Sequence, residues 1–240
     1  MIHRSSGRCP VCGKLTDFVS DSHWLRDNLK CEQCHSIPRE RAFAYCLERF
    51  IPNWRSLDIH ECSPADRSIS ARMRLECAGY VGSHYYSDVP PGQMRDGYRS
   101  ENLEAMTFAD ASFDLHCHLD VMEHVNHPDR CFAEMVRTLR PGGKMIFTTP
   151  YFPAKPETER RAGYGGAGEV FHIAPPEYHG NPISEAGALV TFHYGRNFPE
   201  LILLWAPGCS VEMMTISDPS IGVLGEFREV FIVTKDGLAG

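Results

Sequence analysis

The chain has 240 residues, enough for one full α/β domain and a small appendage. Its 23% charged and 42% hydrophobic residues are those of an ordinary globular domain. The net charge of −7 argues against a long nucleic-acid footprint, because the first 50 residues carry eight Lys/Arg against six Asp/Glu and the rest 16 against 25. No apolar run approaches the roughly 20 residues of a membrane span, and "MIHRSSGRCP" lacks the apolar stretch of a secretory signal. A cytoplasmic, reducing location is the expectation, and ten cysteines are read in that light.

In chain order, residues 1 to about 36 are polar and short of core residues, so they need outside help to fold. Cys9-x2-Cys12-x18-Cys31-x2-Cys34 supplies it, since two CxxC knuckles at this reach suit a closed, tetrahedral, structural zinc. The adjacent Lys30, Arg39 and Arg41 either solvate a surface, pair with Glu40 and Glu48, or meet a partner. "RERAFAYCLERFI" has Phe43, Leu47 and Phe50 at helical spacing and is predicted as a linking helix ended by Pro52, which puts the first module at 1–50.

From 51 to 240 short apolar runs alternate with helical segments. "SLDIHE", "YVGSHYY", "SFDLHCHLD" and "KMIFTTP" are predicted strands. "DRSISARMRLECAG" and "PDRCFAEMVRTLR" are predicted helices, with "PGG" as a stop after the second. Such alternation predicts a parallel sheet with crossover helices. Residues 151–195, rich in Gly, Pro, His and Tyr, read as a lid, a binding loop or a disordered insertion. The helix "FPELILLWAPG" and the strands "SVEMMTIS" and "REVFIVTK" complete the domain.

The stretch "FDLHCHLDVMEHVNHPDRCFAEMVRTLRPGGKMIFTTP" resembles class I S-adenosylmethionine-dependent methyltransferases. The likeness runs from Leu103 to Pro150 through Phe113-Asp114-Leu115, Asp120, Glu123-His124-Val125 and Leu139 to Gly143. It implies a Rossmann-like α/β fold with a mixed, mainly parallel seven-stranded sheet, and S-adenosylmethionine as cofactor. The family's glycine-rich loop is replaced by "LDIHECSPADRS", which has no glycine. The resemblance assigns that loop to His60, Glu61, Cys62 and Ser63. It assigns the ribose position to Ser83, His84, Tyr85 or Asp88, and the adenine position to Glu101, Asn102 and Leu103. It also implies that Asp120 and Val121 face cofactor and substrate. The tail "EYHGNPISEAGALVTFHYGRNF" is similar to a bacterial methyltransferase subgroup, which sets no substrate.

Methyl transfer asks mainly for positioning, plus a base when the acceptor is a hydroxyl. Of twelve histidines, His124 after the fourth strand and His172 and His179 in the long insertion have positional support as bases, with His124 and His179 the leading candidates. His116 and His118 alternate with apolar residues, as core histidines would, and His172, His179 and His193 offer a second metal site only at loose spacing, as a minor alternative. The expected activity is methyl transfer to a small-molecule or glycan-linked acceptor, with nucleic acid and membrane not expected as partners. An RNA methyltransferase that uses the zinc module for its substrate and a non-catalytic protein on a degenerate fold are the alternatives.

Overall fold

The computed structural model describes residues 1–166, 168–181 and 184–237. Strands β1 (His3–Arg8), β2 (Leu15–Ser20) and β3 (Lys30–Cys31) form an antiparallel N-terminal sheet, with the single turn α1 (Leu25–Asn28) between the last two. Helix α2 (Pro38–Phe50) follows, with Pro38 at its first position and Glu40 reaching back to the Ile37 N–H at 3.0 Å.

The main sheet has eight strands. They are β4 (Asp58–Cys62), β5 (Gly79–His84), the edge hairpin β6 (Met94–Arg95) and β7 (Tyr98–Ser100), β8 (Phe113–Leu119), β9 (Leu139–Thr148), β17 (Cys209–Thr215) and β18 (Glu229–Lys235). Helices α3 (Ser68–Glu76) and α4 (Pro128–Thr138) cross over after β4 and β8, and α5 (Phe198–Trp205) precedes β17. The order is β17-β18-β9-β8-β4-β5-β7-β6. Strands β9, β8, β4, β5 and β7 run parallel, whereas β18, β17 and β6 are antiparallel to their neighbours. The sheet is the mixed, mainly parallel one expected, with β6 as an added edge.

Period-two alternation sorts the side chains into two cores. Ile146, Val230 and Ile232 face one side, with α2, α3 and the N-terminal sheet; Met145, Phe147, Phe231 and Val233 face the other, with α4 and α5. The first core runs without a break from Cys9, Phe18, Leu29 and Cys31 through Phe43 and Leu47 to Ile59 and Leu115. The N-terminal module is therefore fused to the sheet by a shared core.

Arg41 is part of that fusion and is fully buried, not the surface residue its charge suggested. Its guanidinium donates to the Ser36, Leu29 and Gly222 carbonyls and lies over the Phe18 ring at 4.7 Å. Gly222, at φ +67, has no room for a side chain, since a Cβ there would sit 2.4 Å from Phe18.

The predicted stop at "PGG" is a bulge instead. Strand β9 starts at Leu139 opposite Phe113, loops out, and resumes pairing at Lys144 opposite Leu115. The 151–195 insertion folds into short strands: β10 (Tyr151–Phe152), β11 (Glu159–Arg160), β12 (Ala162–Tyr164), β13 (Val170–His172), β14 (Tyr178–Asn181), β15 (Ser184–Leu189) and β16 (Phe192–Gly195). It is clamped to the turn after β8. Thr191 donates through N–H and hydroxyl to the Glu123 carbonyl at 2.7 and 2.9 Å, and the Tyr194 hydroxyl donates to the Met122 carbonyl at 2.7 Å.

Candidate active site

A cavity of about 1390 Å³ opens beyond the carboxyl ends of β4, β5 and β8. The β4–α3 loop forms one wall and the segment after β7 another. The insertion closes a third side, and Trp24, Arg26, Asp27, Arg39 and Glu40 of the N-terminal module close the fourth.

Glu61, Cys62, Ser63, Tyr85, Glu101, Asn102, Leu103, Asp120 and Val121 line this cavity, and so do His124 and His179. His60, Ser83, His84 and Asp88 do not. Alternation along β4 turns His60 away from Glu61, into a buried row where it meets His116 Nδ1 at 2.9 Å and Ser83 Oγ at 2.8 Å. Burial lowers its imidazole to a pKa of about 3, so it stays neutral. His116 is completed by Thr138 Oγ1 at 2.8 Å, and buried His118 stacks on Phe147 at 4.7 Å. His84 packs edge-on against Tyr98 at 4.7 Å. Asp88 is exposed and pairs with Arg95 at 2.9 Å.

The glycine-free loop still makes a sharp turn. Ser63 adopts φ +52, in the left-handed region that glycine favours, and its N–H bonds the Ser83 carbonyl at 2.7 Å. Behind it Glu61 accepts from Ser70 Oγ at 2.5 Å and the Tyr80 hydroxyl at 2.7 Å. Burial outweighs these bonds and pushes its carboxyl up to about 7. Arg67, at the N-cap of α3, pairs with Glu40 at 2.7 Å and also lines the cavity. Glu101 is taken up by its own neighbours, accepting from Arg99 Nε at 2.6 Å and from the Thr107 hydroxyl and N–H at 2.5 and 2.9 Å.

Asp120, at φ +55, ends the central strand β8. It pairs with Arg26, lies 3.1 Å from Arg39 Nε and accepts from Thr148 Oγ1 at 2.8 Å. Burial pushes its carboxyl up, but the two guanidiniums outweigh that and hold it at about 2. Both arginines, with Trp24, come from the N-terminal module; Arg39 was among the basic residues singled out in the sequence, whereas the distance along the chain hid Arg26 and Trp24. Glu123 was also missed as a site residue, although it stands inside the string that carries the resemblance. Its side chain is 1% exposed, and its Oε1 lies 3.7 Å from His124 Nε2 and 3.8 Å from His179 Nδ1.

At the other end of the module, the Sγ atoms of Cys9, Cys12, Cys31 and Cys34 lie within 4.8 Å of one another. Cys9 and Cys34 are 3.7 Å apart, close to the about 3.8 Å edge of a tetrahedron with 2.3 Å zinc–sulfur bonds. Two turns close the knuckles: the Gly13 N–H donates to the Cys9 carbonyl at 2.8 Å, and the His35 N–H to the Cys31 carbonyl at 2.9 Å. The donor set fits the metal.

Residues 76–147 match the family model described as "Methyltransferase domain". None of the curated proteins matches the chain. Among solved structures, the chain is similar to an S-adenosylmethionine-dependent methyltransferase from Mesorhizobium loti, at 15% identity and TM-score 0.54, over 81% of this chain and 98% of that one. It is similar to CalS10, an amino pentose methyltransferase from Micromonospora echinaspora, at 13% identity and TM-score 0.52, over 83% and 92%. It is also similar to DesVI from Streptomyces venezuelae, at 13% identity and TM-score 0.52, over 82% and 92%. The chain thus has the Rossmann-like fold of S-adenosylmethionine-dependent methyltransferases, with a match to a methyltransferase domain over residues 76–147 and a four-cysteine cluster in front of it.

Proposed function

We propose that the chain is an S-adenosylmethionine-dependent methyltransferase acting on a small-molecule or glycan-linked acceptor, and that its four cysteines hold a structural zinc. The position of the cavity carries the first reading. It lies at the carboxyl ends of β4 and β8, where the strand order reverses, the place where an open α/β sheet takes its ligand. Its volume exceeds the roughly 300–1,000 Å³ of a usual small-molecule pocket, which leaves room for a nucleoside cofactor beside an acceptor. That proteins of the same fold include an amino pentose methyltransferase supports the acceptor class.

When bound, the cofactor supplies a methyl group on a sulfonium, which leaves in an in-line displacement and passes to a nucleophilic oxygen or nitrogen. The chain's own residues bind, orient and accept the proton. Arg67 at the start of α3 meets the methionine carboxylate, a charge-assisted substitute for the missing glycine amides. Tyr85 and Asn102, from the ends of β5 and β7, flank the adenosine. Asp120 is neutralised by two arginines and is a positioning residue. His124 or His179 takes the proton of a hydroxyl acceptor. The insertion walls the reacting atoms from water, and orientation does most of the work. The RNA reading gains no support, because Arg26 and Arg39 point inward to Asp120 and Arg41 is buried.

Calorimetric titration of the full chain with S-adenosylhomocysteine tests this reading. One molecule is expected to bind per chain, about tenfold or more weaker in Arg67→Ala. No heat at millimolar ligand refutes it.

A further inference from the structure

The wall of the cavity formed by the β8–α4 turn and the β14–β15 hairpin holds a group that the methyl-transfer reading leaves unexplained. Glu123 is buried, and its two carboxylate oxygens are treated differently. Oε2 accepts from Thr149 Oγ1 at 3.0 Å, whereas Oε1 has no hydrogen-bond partner among the described residues. A buried carboxylate oxygen without a donor is costly unless a cation neutralises it.

Two imidazole nitrogens face that oxygen. His124 Nε2 is 3.7 Å away and His179 Nδ1 is 3.8 Å away, and the three candidate ligand atoms all lie within 4.8 Å of one another. These gaps are too long for direct hydrogen bonds. They are close to the about 3.4 Å edge of a tetrahedron with 2.0–2.2 Å bonds to nitrogen and oxygen.

The outer nitrogens face the kinds of partner that metal-bound histidines use. His124 Nδ1 donates to the Leu189 carbonyl at 2.9 Å, which leaves Nε2 with its lone pair toward Glu123. His179 Nε2 stands 3.4 Å from Glu177 Oε1, and Glu177 is fixed in turn by His193 at 2.9 Å and Arg161 at 3.2 Å. Such carbonyl and carboxylate partners select the tautomer and point the inner nitrogen at an ion.

We propose that Glu123, His124 and His179 form a second metal site, which takes a divalent cation of the zinc class and keeps one coordination position open to the cavity. Two neutral imidazoles and one carboxylate leave one positive charge, and three protein ligands leave a fourth position for water or a ligand oxygen, as in catalytic zinc centres. The site joins the β8–α4 turn to the insertion, so the ion fastens the lid. If the chain is a methyltransferase as proposed above, the open position would take the acceptor's oxygen, and the ion would then replace His124 or His179 as its activator by lowering the hydroxyl's pKa, the proton passing to water; the site itself does not depend on that reading.

Metal analysis of untagged full chain after dialysis against Zn²⁺ decides it. About two ions per chain are expected for the wild type and about one for His179→Ala and for Glu123→Gln. Cobalt substitution separates the two centres. The cysteine cluster gives strong thiolate-to-metal absorption, which both variants should keep as proof of their fold. Weak visible bands free of thiolate character should be present in the wild type and lost in both. A wild-type chain that holds one ion, or variants that keep two, overturns the proposal. Calorimetry with S-adenosylhomocysteine on the same samples tells this failure from failure of the methyltransferase reading.

Discussion

The double substitution Cys31→Ser, Cys34→Ser is expected to strip the zinc and lower the melting temperature of the whole chain by roughly 10–20 °C. Structural zinc contributes folding free energy directly, with apparent binding of about 10–16 kcal/mol in small zinc modules at neutral pH. In a domain this large, about 1 kcal/mol moves the melting temperature by about 2–4 °C, so even a loss of about 5 kcal/mol gives that range. The effect does not stay local. Cys31 lies in one apolar cluster with Phe18, Phe43, Ile59, Leu115 and Ile232, and Arg41 ties the knuckle to the loop before β18. Loosening the knuckle exposes one face of the main sheet. Thermal unfolding followed by circular dichroism, with zinc content measured on the same samples, checks this. An unchanged melting temperature after full loss of zinc contradicts a structural role.

Asp120→Asn is expected to cost about 1–3 kcal/mol, because it leaves the mostly buried Arg26 and Arg39 with the half-exposed Asp27 as their remaining carboxylate. Their side chains are 10% and 20% exposed and that of Asp120 is 14% exposed. Asparagine also tolerates the left-handed backbone at this position, so the exchange isolates charge from strain. The pH dependence follows from the depressed carboxyl. A carboxyl at about 2 in the folded chain, against its ordinary value near 4 when unfolded, stabilises fully above about pH 4. That contribution disappears as pH falls toward 2. Urea midpoints of the wild type should therefore drop across this acid window more than those of Asp120→Asn, and at pH 7 the variant should unfold at lower urea. Equal midpoints at pH 7 would show that the pairs contribute nothing.

Much of the fold was legible because its signals are local. The apolar runs around Ile59, Leu115 and Ile146 alternated with helical segments, and the paired CxxC knuckles announced their own ligand geometry. The candidate site was legible only where the resemblance supplied positions. Period-two alternation on β4 separates His60 from Glu61, but which of the two faces the cavity depends on how α3 and β8 pack, which no short window records. The Arg26–Asp120 pair joins positions far apart in the chain. The insertion read as irregular because its strands are short and pair mainly with one another, and its docking on the Met122–Val125 turn rests on backbone carbonyls that leave no mark on the sequence. Glu123 and His124 were in plain view, yet the lone buried oxygen between them and His179 emerges only once the hairpin is placed.

A structure of the full chain with S-adenosylhomocysteine bound tests the central claim most directly. The adenosine is expected between Tyr85 and Asn102, the carboxylate at Arg67, and the sulfur facing Asp120 and His124 across the cavity. Saturating ligand found outside this cavity, or none bound at all, would contradict it.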